Sequence, residues 1–137
     1  NLFANGFEFK NIVGIDLFSY SPLIKLSDMH NIKENDDQFD LVLMGWCLAY
    51  SNNKKKALEE AKRVLKKNGM LIIGYTLTQR TDNDFLSERG YVVRSPHNKI
   101  NSKKDLDMLL NSCGFKEFYS KEIDKGTSSR LLYGAIF

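Results

Sequence analysis

The chain has 137 residues, of which 42% are hydrophobic, 12% aromatic and 27% charged, and its 20 Lys and Arg against 17 Asp and Glu leave a net charge of +3. This composition fits one soluble domain with one core and excludes a disordered chain, a collagen-like repeat or a disulfide scaffold. The longest apolar stretch, Leu41 to Tyr50, is about half the length a bilayer span needs, and the basic residues are too dispersed for a nucleic-acid footprint.

In chain order, Leu2 to Asn5 reads as the last turn of a helix stopped by Gly6, and Asn11 to Leu17 as a short β-branched strand ending in an acid. Phe18 to Pro22 is a loop too short for a crossover helix, Leu23 to Leu26 a second strand, and Asp28 to Asn31 (DMHN) a polar segment after it. A polar loop from Lys33 to Gln38 leads into Phe39 to Gly45 (FDLVLMG), apolar on consecutive residues as a strand buried on both faces is. Ala57, Leu58, Ala61, Val64 and Leu65 recur at helical spacing and predict a helix over Asn53 to Lys67, closed by Asn68 and Gly69. Met70 to Tyr75 is the next buried strand. Gln79 to Asn101, with Pro96 and His97, is a long polar excursion of the kind that forms functional loops. Ser102 with Asp105 caps a helix over Lys103 to Ser112 that ends at Gly114. Lys116 to Ile123 and Arg130 to Phe137 are strands close enough to pair as an antiparallel hairpin. Strand-like and helix-like periods alternate throughout, which predicts a single α/β domain over residues 1–137 with a mostly parallel sheet.

Ligands of such sheets bind beyond the carboxyl ends of the strands, where the sequence gathers Asp16, Asp28 with Met29 and His30, Gly45 with Trp46, Tyr50, and Thr76 to Arg80. A carboxylate in the place of Asp16 offers two acceptor oxygens to the hydroxyls of a ribose; the plainer reading is a turn cap. Asp28 is suited to accept from an adenine amino group, although an aspartate in a loop is a common feature. His30, His97 and Tyr50 are the groups near these ends able to take a proton from an acceptor, His30 ahead of His97; a histidine without a role is the plainer reading of each. Cys47 and Cys113 lie in separate apolar segments without a C-x-x-C or a histidine pair, so they read as buried thiols of a cytoplasmic protein, and no metal site is expected.

Taken together, GID at Gly14 to Asp16, DMHN at Asp28 to Asn31, FDLVL at Phe39 to Leu43, EEAKRVLKKNG at Glu59 to Gly69, MLII at Met70 to Ile73 and the terminal hairpin give a sequence that resembles the class I S-adenosylmethionine-dependent methyltransferases. The likeness is to the type 11 group, whose members read D-x-H-x-L-P, F-D-x-V and E-x-x-R-V-L-K-P-G-G in this order. It covers nearly the whole chain and is most specific from Phe39 to Ile73. The resemblance implies a Rossmann-like sheet with S-adenosylmethionine as cofactor and transfer of a methyl group to a small-molecule acceptor. It implies that Asp16 binds the cofactor ribose, Leu17 packs on the adenine, and Asp28 meets the adenine amino group with Met29 and His30 beside it. Met44, Gly45 and Trp46 would lie along the methionine part, and Trp46 and Tyr50 would face the acceptor, core packing being the alternative for both aromatics. No catalytic base is assigned; His30 and Tyr50 are the candidates. Arg63 is expected to be structural.

Three departures from the pattern carry expectations of their own. Lys67-Asn68-Gly69 replaces Pro-Gly-Gly, which the left-handed tolerance of Asn accommodates. The helix between the second and third family strands is cut to the loop Phe18 to Pro22. The glycine-rich loop and the central strand before it are absent, and that strand would lie between Asn11–Leu17 and Phe39–Gly45. An upstream segment of roughly forty residues, a strand, loop and helix, would supply it. Otherwise the strand comes from a second copy in a homodimer, or the chain is a non-catalytic methyltransferase-like scaffold subunit. A nicotinamide-dependent oxidoreductase also places an acid after its second strand, but has no counterpart to Glu59–Gly69 or the final hairpin.

Overall fold

The computed structural model describes residues 2–78, 100–124 and 128–137. Two short strands, β1 (Gly14–Asp16) and β2 (Ile24–Leu26), pair in parallel as one small sheet. Four others, β3 (Phe39–Gly45), β4 (Leu65–Thr78), β5 (Lys116–Asp124) and β6 (Ser128–Ile136), form a second in the order β3-β4-β6-β5. The β3–β4 pair is parallel, whereas β6 runs antiparallel to both β4 and β5. The expected terminal hairpin is therefore present, with its last strand on the inside, and the fold is an α/β Rossmann-like arrangement with mixed pairing.

Helix α1 (Lys54–Val64) starts at Asn53, whose side chain accepts from the Lys56 amide at 3.0 Å. It ends one turn before the predicted Lys67. The reason lies in the loop beneath it: the amides of Asp37 and Gln38 donate to the carbonyls of Arg63 and Val64 at 3.0 and 2.9 Å, taking acceptors that the next turn would have used. Leu65 turns extended and pairs with Phe39. Asn68 does adopt the left-handed conformation expected of it, with φ 62°. Helix α2 (Lys103–Ser112) has the predicted capping box, Ser102 and Asp105 each accepting from the other's backbone amide at 3.2 and 2.9 Å.

The core lies between the two helices and one face of the larger sheet. Leu58 and Ala61 of α1 and Leu106 and Leu110 of α2 pack with Leu71, Ile73, Tyr75, Leu131 and Tyr133, which share one face by register. Each fully buried leucine or isoleucine contributes about 1.5–3 kcal/mol. On the other face Leu43, Met70 and Leu132 stay 41–44% exposed, so β3 is not covered on both sides as its composition predicts.

The start of the chain is less regular than predicted. A 3-10 turn at Phe3–Asn5, closed by left-handed Gly6, stands where a helix end was expected, and a second at Phe9–Asn11 shortens the first strand to Gly14–Asp16. Residues 79–99, most of the predicted excursion with Pro96 and His97, lie outside the described residues.

Among the described residues β1 pairs only with β2, and β3 only with β4, so one edge of each is open. The carboxyl ends of the two sheets are nevertheless tied together: His30 after β2 meets Ser51 after β3 at 2.7 Å, and the Ile32 amide donates to the Glu60 carboxylate at 3.0 Å. The break in the sheet thus falls between the two strands where the sequence places its missing neighbour.

Candidate functional site

The carboxyl ends of β1, β2 and β3 carry the site. β1 ends in Asp16, whose carbonyl accepts from the Ser27 amide at 3.0 Å and whose exposed carboxylate takes only a long 3.4 Å bond from the Phe18 amide. Leu17 and Leu26, 67% and 58% exposed, stand at the tips of the paired strands. With Ser27, Asp28, Asn31 and Lys33 they line an open cleft of about 260 Å³. Two large apolar side chains beside the Asp28 carboxylate and Lys33 suit a flat, hydrogen-bonding ligand: the leucines supply contact area and the polar groups supply hydrogen bonds, while Asp16 adjoins Leu17 outside this lining.

The loop after β2 is a tight turn in which the Asn31 amide donates to the Asp28 carbonyl at 3.0 Å. Asp28 Oδ1 accepts from the His30 amide at 2.8 Å and lies 2.6 Å from His30 Nδ1. The backbone donor and the imidazole beside it hold the Asp28 carboxyl below the ordinary aspartate range. His30 Nε2 lies 2.7 Å from Ser51 Oγ, which accepts in turn from the Asn53 amide at 3.1 Å. Both ring nitrogens of His30 are thus engaged in joining two loops. Met29 packs against the core rather than lining the cleft.

At the end of β3 the predicted residues separate. Met44 is buried in the core cluster, while a side chain built on Gly45 would meet open space. Trp46 takes a left-handed backbone with φ 59°, unusual for a bulky residue, and its amide donates to the Gly74 carbonyl at 2.9 Å. Its indole lies over Gly74 so closely that a Cβ there would come within 2.9 Å of the ring. Trp46 and Tyr50 are each 48% exposed. Burial pushes the Cys47 thiol up, with the Asp16 charge adding to the effect. Cys47 and Cys113 are both free.

Leu26, Lys33, Ser51 and Gly74 belong to this region and escaped the sequence reading. An exposed leucine at a strand tip was a readable signal, but nothing in the spacing of Ser51 from His30 announces their contact. Arg63 is structural, as expected. It binds Glu60 at 2.9 Å, Asp36 at 2.5 Å and the carbonyls of Glu34 and Ile32 at 2.9 and 2.7 Å, pinning the loop that precedes β3.

Comparison with known proteins bears on the family and the fold. The sequence profile of a methyltransferase domain matches residues 2–73, more than half of the chain. An uncharacterized protein of Methanocaldococcus jannaschii is 31% identical over 144 residues, spanning 90% of this chain and 66% of that protein. Among solved structures, a SAM-dependent methyltransferase of Thermotoga maritima superposes with a TM-score of 0.64 at 21% identity, over 82% of this chain and 63% of that one. One from Methanosarcina mazei gives 0.66 at 18% identity, over 93% and 83%. The 1,6-didemethyltoxoflavin-N1-methyltransferase of Burkholderia thailandensis, solved with S-adenosylhomocysteine, gives 0.68 at 16% identity, over 92% and 60%. The chain spans just under two thirds of its archaeal relative's length. By the extent of the profile match, and by the sheet that carries its motifs, the chain belongs to the class I methyltransferase family of the type 11 group.

Proposed function

We propose that this chain holds the adenosine half of S-adenosylmethionine and belongs to an enzyme that methylates a small-molecule acceptor. The observation that carries the reading is the cleft at the tips of β1 and β2, where Leu17 and Leu26 provide apolar walls and Asp16 and Asp28 stand at successive strand ends in a member of this family. The residues fit the group: Asp16 presents two oxygens to the ribose hydroxyls, the leucines flank the purine, and Asp28 accepts from its amino group. Gly45 leaves room for the methionine part at the end of β3, and Trp46 and Tyr50 face the acceptor.

When bound, S-adenosylmethionine supplies a methyl group already activated on a sulfonium, so alignment and exclusion of water are the protein's main tasks. Leu17, Leu26, Trp46 and Tyr50 provide the apolar surface for that exclusion. In this reading the phenol of Tyr50 orients an acceptor hydroxyl or amine. The strand and glycine-rich loop that complete the site occupy, in the same reading, the space between β1 and β3. Two free thiols suit a reducing, cytoplasmic setting.

Calorimetric titration with S-adenosylhomocysteine tests the assignment. Asp16→Ala should weaken binding by about 1.5–3 kcal/mol, the worth of hydrogen bonds to a charged acceptor. Unchanged affinity in a folded variant removes Asp16 from the site. Absence of binding in the parent protein favours the scaffold role instead.

A further inference from the structure

His30 stands in an arrangement that the adenosine reading does not require. Its Nδ1 lies 2.6 Å from Asp28 Oδ1, and its Nε2 lies 2.7 Å from Ser51 Oγ. With the neutral ring protonated on Nδ1, Nδ1–H donates to the carboxylate and Nε2 accepts the Ser51 hydroxyl proton. The aspartate, imidazole and hydroxyl thus form one chain of hydrogen bonds. It is not a nucleophilic triad: Ser51 is 5% exposed, and its oxygen also accepts from the Asn53 amide at 3.1 Å. What the chain does join is the loop after β2, which borders the cleft, to the turn after β3, which carries Tyr50.

We infer that His30 and Ser51 are positioning residues that fix the Asp28 carboxylate for ligand binding, committing Oδ1 to His30 and turning Oδ2 toward the cleft. The inference rests on the adenosine reading and goes beyond it by naming what aims the acid. The Ser51 end of the chain is held in its turn by Lys54, buried at the start of α1, whose Nζ donates to the Ser51 carbonyl at 3.3 Å.

The test is titration of the protein with S-adenosylhomocysteine near neutral pH, beside the variants His30→Gln, Ser51→Ala, Asp28→Ala and Asp28→Ala/His30→Gln, each checked for a parent-like melt. His30→Gln should weaken binding about fivefold, Ser51→Ala about twofold, and His30→Gln should cost nothing further once Asp28 is alanine, as expected of residues acting through one another. The same fivefold loss in the Asp28→Ala background overturns the relay while leaving the adenosine site standing. Should His30→Gln melt early, Ser51→Ala decides in its place, unchanged affinity overturning the relay. No binding by the parent overturns both.

Discussion

Arg63 shows how one side chain sets a loop. It spans the Glu60 carboxylate, Asp36 and two carbonyls of the segment leading into β3, and Glu60, 8% exposed in its side chain, depends on it. The Arg63 guanidinium, followed by the Lys56 ammonium, lowers the Glu60 carboxyl to about 2 against its own burial. Because the folded value lies below the unfolded one, the pair's contribution is present above the ordinary glutamate range and is lost as pH falls toward 2. Arg63→Ala should therefore cost about 2–3 kcal/mol near neutral pH, less than a fully buried pair because the guanidinium is partly exposed. In denaturant unfolding that difference should shrink as pH falls from about 5 to about 2; a constant difference would remove the Glu60 pair as its source. Asp16 and Asp28 are singled out in the sequence because they stand at or just after strand ends, and Leu17 because the family resemblance implies it. Ser51 is not, since its contact with His30 spans 21 residues and depends on how two loops meet.

At the scale of elements, hydrophobic spacing located α1, α2, β3 and the final hairpin, and tertiary bonds moved their ends. The apolar stripe through Leu65 continues a helical pattern, yet Asp37 and Gln38 occupy the helix's last acceptors and Leu65 joins the sheet instead. The predicted start of α2 holds because a capping box is local: Ser102→Ala should cost about 1 kcal/mol in thermal or denaturant unfolding, and a loss below a few tenths would show that Asp105 alone holds the helix start. Tertiary bonds reinforce this helix, since Tyr133 donates to Asp107 at 2.6 Å and Lys103 bridges Asp107 and Glu117 at 3.1 and 2.6 Å. Gly74 illustrates a requirement that no local rule reveals. A methyl group there meets the indole of Trp46, the only tryptophan, so Gly74→Ala should shift the emission maximum and cost about 1–3 kcal/mol. Unaltered fluorescence would mean that the indole does not rest on this strand.

At the scale of the molecule, the order of motifs carried the fold class, and the break between β1 and β3 lies where the family's central strand belongs. Consecutive apolar residues in Phe39–Gly45 predicted a strand inside a sheet, yet among the described residues β3 has one open edge, and Leu43 is 44% exposed. An open edge of this kind leaves backbone donors and acceptors ready to pair with another chain. Residues 1–137 on their own should accordingly aggregate or exchange strands; a monomeric 1–137 with a cooperative melt and a fully paired sheet would contradict the topology. The most direct measurement is titration of the protein with S-adenosylhomocysteine beside its Asp16→Ala variant. The account predicts binding by the protein, about tenfold or more weaker in the variant. No binding by the protein, or equal affinity in a folded variant, would contradict it.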